Sequence, residues 1–173
     1  MEILLGETPH KQGAKAPLKN QRRKFMNRLY IAYGSNTNQD SMKYRCPNAK
    51  FMGTGTLKGY KLAFKGYENN SYATIEKDEK SNLDVVLWLI TQSDEERLDH
   101  YEDCPKLYKK ETIKVEIGNS NLDGLVYIMN DVYNLALPSE DYFNEIVEGY
   151  TQCGLNAEPL FQAMFNIRDI LSK

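Results

Sequence analysis

The chain has 173 residues, 41% hydrophobic and 27% charged, with a formal net charge of -2. That length and apolar share suit a single domain with a sizeable core, and the balanced charge excludes a global attraction to nucleic acid or to an acidic membrane surface. No stretch approaches the ~20 continuous apolar residues that cross a bilayer, so neither nucleic acid nor membrane is an expected partner.

The charge is unevenly spread. Residues 1–25 hold six Lys or Arg against Glu2 and Glu7, which leaves the other 148 residues at -6. This basic piece has no apolar periodicity and reads as a flexible extension, or as sequence upstream of a start at Met26, with the domain proper over residues 26–173. "MEILLG" is too short for a signal-peptide apolar region, and the two glutamates argue against organelle import. Cys46, Cys104 and Cys153 are odd in number and far apart. They suit reduced thiols in a cytoplasmic protein, and neither a disulfide framework nor a metal site. The only histidines are His10 and His100. Chemistry here is therefore expected to rest on carboxylates, backbone amides and tyrosines.

In chain order, Leu29 to Tyr33 reads as a strand that runs into Gly34, Ser35 and Asn36, and Asn38 to Arg45 reads as a short helix before Pro47. Strand-like runs follow at Phe51–Thr56, Tyr60–Phe64, Ser71–Glu76 and Val85–Thr91, with turns at Gly59 and over Gly66–Asn70. "SDEERLDHYED" predicts a helix whose capping box is Ser93 with Glu96, ended by Pro105. Two more strands are expected at Tyr108–Ile117 and Leu125–Met129, with a turn around "GNSNLDG". Pro138 and Ser139 open a helix that runs to Gly154, and a last amphipathic helix covers about Ala157 to Leu171. Many short strands with helices between them predict an α+β domain built on a mixed, partly closed sheet.

Two places could carry chemistry. At 100° per residue, Leu98 marks the inward face of the acidic helix, and Glu102 lies only 40° from it, at the edge of the buried stripe. Partial burial and the negative end of the helix both raise a carboxyl pKa, which makes Glu102 a candidate general base. The plainer alternative is that Glu102 borders the core and reaches solvent, or pairs with Lys106 or Lys109. The second place is Gly34 to Asn36, between a strand and a helix, where a row of N–H groups could meet a carboxylate or a developing oxyanion. Gly-Ser-Asn is also common turn chemistry. A phosphate loop fits poorly, since the "GxxxxGK" spacing is absent.

Taken in order, "YIAYGSN" (Tyr30–Asn36), "RCPNA" (Arg45–Ala49), "ATI" (Ala73–Ile75), "VLW" (Val86–Trp88), "LDHYEDCPKLY" (Leu98–Tyr108), "VYIM" (Val126–Met129) and "LPSEDYFNEIVEGYTQCGL" (Leu137–Leu155) resemble the γ-glutamylcyclotransferase family. The resemblance implies a small mixed β-barrel flanked by helices. It implies cleavage of a γ-glutamyl amide by the substrate's own α-amine, releasing 5-oxoproline, with no cofactor and no metal. Glu102 matches the family's base. Tyr33, Gly34, Ser35 and Asn36 match the segment that holds the glutamyl group, with Tyr30 beside it, and Tyr127 matches a pocket tyrosine. Three positions depart from the pattern: Asp103 stands for Gly, Thr37 for Leu or Met, and Val85 for Gly. A catalytically silent module that binds a γ-glutamyl or carboxylate ligand is the alternative, its chemistry lost through Asp103. A third reading is an interaction protein that acts through its basic extension. The leaving amine and the oligomeric state are left open by the sequence.

Overall fold

The computed structural model describes residues 27–67 and 70–172; the basic extension expected over residues 1–25 lies outside the described residues. Five strands close into a mixed barrel. β1 (Arg28–Ala32) lies antiparallel to β3 (Asn70–Ile90) and parallel to β5 (Ser120–Met129). β4 (Tyr108–Ile117) pairs antiparallel with β5 and meets β2 (Lys50–Tyr67) through Thr56 and Glu116, and the long β2–β3 hairpin completes the circuit. A two-residue β6 (Asn134–Leu135), absent from the sequence reading, adds to the outer end of β2. The helices are α1 (Gln39–Arg45), α2 (Gln92–Tyr101), α3 (Glu140–Cys153) and α4 (Glu158–Leu171). This is the α+β barrel flanked by helices that the sequence predicts.

Period-2 alternation divides the apolar residues between two clusters. On β3, Leu83, Val85 and Leu87 join the cluster that takes Ile146 and Tyr150 of α3 and Leu160 and Ile167 of α4. Val86, Trp88 and Ile90 join the other, with Met42 of α1 and Leu98 of α2. Both faces of this strand are therefore covered.

The strand runs that the sequence separates are continuous. Gly59, expected as a turn, is a bulge: the β2–β3 register shifts between Lys58 and Tyr60, where Gly59 takes φ +76. A left-handed residue bends a paired strand without ending it, so the two β2 segments and the two β3 segments merge. The turn expected over "GNSNLDG" shrinks to Gly118 and Asn119, because β5 begins at Ser120.

The start of α2 also differs from the expected one. The helix begins at Gln92, and its capping box is Thr91 with Asp94, two residues before the expected Ser93 and Glu96. Asp94 is fully buried; its Oδ2 accepts from the Thr91 N–H at 3.0 Å and its Oδ1 accepts from the Asn48 N–H at 3.3 Å. A cap that also ties α2 to the segment after α1 prevails over one that faces solvent. Asn38 caps α1 by accepting from the Asp40 and Ser41 amides, and Ser139 caps α3 as expected.

Gly149 sets how closely α3 approaches the β1–α1 loop. A Cβ there would lie 2.4 Å from the Asn38 nitrogen and from Thr37 Oγ1, and 2.7 Å from the Thr37 carbonyl carbon. Only a residue without a side chain lets the helix back against this loop. Among the described residues no helix is long and apolar enough to cross a membrane, and the three cysteines are unpaired.

Candidate active site

The strand β1 stops at Ala32, and Tyr33 and Gly34 lead into one turn of 3-10 helix at Ser35–Thr37. The Thr37 N–H donates to the Gly34 carbonyl at 3.0 Å, the Thr37 hydroxyl donates to the same oxygen at 2.7 Å, and the Asn38 N–H donates to the Ser35 carbonyl at 3.1 Å. A helical turn leaves its first N–H groups without intrahelical acceptors. Those of Gly34, Ser35 and Asn36 have no hydrogen-bond acceptor among the described residues. Across from them, α2 ends at Tyr101 and Glu102 is its C-cap, with φ -82 and ψ 2. The acid therefore sits just past the last helical turn in which the sequence reading places it. Its main-chain N–H donates to the Leu98 carbonyl at 2.8 Å.

Between these elements lies a cavity of about 260 Å³. Every residue the sequence singles out borders it: Tyr30, Tyr33, Gly34, Ser35, Asn36, Glu102 and Tyr127. Tyr72, Ala73, Tyr101, Leu107, Tyr108 and Tyr142 complete the lining. Helical spacing sets Tyr101 60° from Leu98, on the other side of the inward face from Glu102, and does not by itself assign it to the site. Leu107, Tyr108 and Tyr142 fall inside the motifs quoted above, which is the signal available for them; Tyr72 has none.

The Glu102 carboxyl is fixed from one side. Its Oε1 accepts from Asn36 Nδ2 at 2.9 Å, and the same amide nitrogen donates to the Tyr30 hydroxyl at 2.8 Å. Asn36 is held in turn by Arg45 Nη1, which donates to its Oδ1 at 2.9 Å, and by Trp88 Nε1, which donates to its main-chain carbonyl at 3.0 Å. Burial pushes the Glu102 pKa up from 4.5 to about 7, while the Arg45 charge and the Asn36 hydrogen bond partly offset that rise. The same residue as Asp or Glu on the surface would be fully ionised at neutral pH. Here the two forms are nearly balanced, the condition under which a carboxyl both accepts and returns a proton.

The tyrosines form rigid walls. Tyr33 donates to the Tyr127 carbonyl at 2.5 Å, Tyr108 donates to the Ala73 carbonyl at 2.6 Å, and the Ala73 N–H donates to the Tyr142 hydroxyl at 3.2 Å. Tyr30 and Tyr127 pack edge to face at 5.9 Å. Burial holds the hydroxyls of Tyr30, Tyr33, Tyr108, Tyr127 and Tyr142 above their ordinary pKa, so they stay neutral donors. Tyr127 lends the cavity its ring, since its hydroxyl donates to Asp99 Oδ1 of α2 at 2.6 Å.

The three departures from the family pattern acquire physical meanings. Asp103 is exposed, does not border the cavity, and takes φ +46. That left-handed conformation is the reason glycine suits the position. Thr37 is fully buried and closes the 3-10 turn through its hydroxyl. Val85 is buried opposite Gly55 of β2. Among the described residues no group of three or more His, Cys, Asp or Glu stands together to hold a metal.

The family model described as gamma-glutamyl cyclotransferase, AIG2-like, matches residues 30–144, and the chain belongs to that family. A solved structure named gamma-glutamyl cyclotransferase superposes with a TM-score of 0.72 at 24% identity, over 85% of this chain and 99% of that one. An uncharacterized protein from Homo sapiens gives 0.71 at 26% identity with the same coverage of both chains. YkqA from Bacillus subtilis gives 0.69 at 23% identity, over 82% of this chain and 54% of its own. A comparison with curated proteins gives no significant match.

Proposed function

We propose that the protein is a γ-glutamyl cyclotransferase that releases 5-oxoproline from a small γ-glutamyl amide, with Glu102 as general base and acid. One observation carries this reading: a carboxyl with a pKa of about 7 borders the same 260 Å³ cavity as the unoccupied N–H groups of Gly34, Ser35 and Asn36. The substrate carries its own nucleophile, so neither a serine nor a cysteine at the site is required. Its α-ammonium, with an ordinary pKa near 8, gives a proton to Glu102. The free amine attacks the γ-carbonyl carbon, and the new C–N bond closes a five-membered ring. The tetrahedral oxyanion is met by the main-chain N–H groups, donors typically worth ~3 to 4 kcal/mol each. Glu102 then returns the proton to the departing nitrogen as its C–N bond breaks, and the second proton of the ring nitrogen passes by way of the same carboxylate to the released amine, which leaves as an ammonium, so no water is consumed. Holding the glutamyl chain folded back supplies the effective-molarity advantage of an intramolecular reaction, up to ~7 to 11 kcal/mol.

Tyr30, Tyr33 and Tyr127 shape the glutamyl end, and the amides of Gly34, Ser35 and Asn36 bind its polar atoms. The side chain of Asn36 is already committed to Glu102, Tyr30 and Arg45, so it contributes to substrate binding through its main chain. Asp103 lends no support to a silent binding module, since it is exposed outside the cavity. The test is a panel of γ-glutamyl amino acids, peptides and amines assayed for 5-oxoproline. Glu102→Gln is expected to abolish turnover while still binding substrate. Undiminished turnover in that variant, or no product from any member of the panel with the unaltered protein, refutes the proposal.

A further inference from the structure

Arg45 does not border the cavity, yet it organises the residue that does. Its side chain is 15% exposed and makes contacts on three sides. Nη2 pairs with Glu145 Oε1 of α3 at 2.7 Å. Nη1 donates to Asn36 Oδ1 at 2.9 Å and to Ser35 Oγ at 3.2 Å. The guanidinium lies over the Tyr101 ring, 4.0 Å from its centroid. Glu145 Oε1 also accepts from the Ser41 hydroxyl at 2.5 Å, which anchors the pair to α1.

The asymmetry of Asn36 makes this arrangement consequential. A carboxamide offers an acceptor at one end and donors at the other, and by itself it has no preference for which end faces Glu102. Turned over, it would present Oδ1 to a carboxylate and withdraw the donor that now holds Oε1. A guanidinium has donors and no acceptor, so it tolerates only Oδ1 opposite Nη1. Glu145 fixes Arg45, Arg45 fixes the sense of Asn36, and Asn36 fixes Glu102.

We propose that Arg45 is a positioning residue that sets the orientation of the Asn36 amide, and through it the placement and proton affinity of the Glu102 carboxyl. The proposal rests on the reading of Glu102 as the base. The other titratable groups around that carboxyl are Tyr30 and Tyr33 from β1 and its loop, Cys46 after α1, Tyr108 of β4 and Tyr142 of α3. Tyr101 and Cys104 flank it along the chain. Desolvation raises the pKa of every one of these, so they remain neutral and Arg45 supplies the positive charge of the group.

The test follows Glu102 in two ways in the full chain. Its titration is read by carboxyl-carbon NMR, assigned by its loss in Glu102→Gln, and the pH dependence of kcat/KM for 5-oxoproline formation is measured alongside. In Arg45→Met, the titration and the acid limb are expected to move together to higher pH, with turnover at pH 7 falling about 10²-fold, as for a misplaced catalytic group. Arg45→Lys keeps the charge and loses the planar fork. It is expected to bring the titration back toward the original position without restoring turnover. Arg45→Gln is neutral and polar, and serves the same measurement if the methionine variant does not fold. A Glu102 titration at its original position in folded Arg45→Met or Arg45→Gln overturns the proposal, because a residue that only supports the fold lowers the melting temperature and leaves that titration where it was. If the unaltered protein forms no 5-oxoproline, the proposed activity fails, while the NMR titration still decides the role of Arg45.

Discussion

Replacing Glu102 by glutamine should make the protein more stable at alkaline pH while removing its activity. The carboxyl has a pKa of about 7 in the fold against an ordinary 4.5. Between those values the folded chain retains a proton that the unfolded chain has released, so stability falls as pH rises through this window. Above pH 7 the fold carries the whole cost of an ionised carboxyl in a desolvated place. At about 1.4 kcal/mol per pH unit that cost is about 3 kcal/mol. Glutamine is uncharged throughout and still offers an oxygen to Asn36 Nδ2, so the variant escapes it. For a chain of this length 1 kcal/mol corresponds to ~2 to 4 °C, and the melting temperature of Glu102→Gln is expected to exceed that of the original by ~6 to 12 °C at pH 8. The difference should shrink steadily on acidification and vanish near pH 4.5. Thermal unfolding followed by circular dichroism at a series of pH values reads this directly. A difference independent of pH, or a variant less stable at pH 8, would show that Glu102 is not strained by burial and would remove the physical basis for its role as base.

Gly149→Ala forces a Cβ to within 2.4 Å of the main chain at Asn38. Overpacking of this kind costs ~1 to 3 kcal/mol, and relief requires α3 to move off the turn that carries the proposed oxyanion donors. Denaturant unfolding should show the loss, and turnover should fall by more than KM changes; an active variant of unaltered stability would mean that the loop is not held by α3. Asp103→Gly releases a non-glycine residue from φ +46. A stability gain of ~1 kcal/mol is expected, with turnover retained, since Asp103 lies outside the cavity. A marked change in KM would instead place its carboxylate near the substrate.

The amino-acid sequence by itself determined the order of elements and the residue types of the site. Alternating apolar runs specify strands, because side chains on a strand point to opposite faces. Ser139 with its following acidic turn specifies the start of α3, because the cap bond is made within four residues. The motif order from Tyr30 to Leu155 was enough to name Glu102 and the Gly34–Asn36 segment, which the cavity then brings together. Such readings succeed where the deciding interaction is local.

Tertiary structure decided the rest. Gly59 bends a strand and does not end it, because pairing with β3 continues past it. Thr91 prevails over Ser93 as the cap of α2, because Asp94 is also bound by Asn48 from another segment. Helical periodicity placed Glu102 at the border of a buried stripe, yet its pKa is set by walls drawn from β1, β4 and α3. Arg45 acquires its position over Tyr101 and beside Asn36 only when Glu145, 100 residues away in sequence, closes the pair. Desolvation and side-chain orientation depend on which atoms surround a group, and for these residues those atoms come from parts of the chain that no local spacing connects.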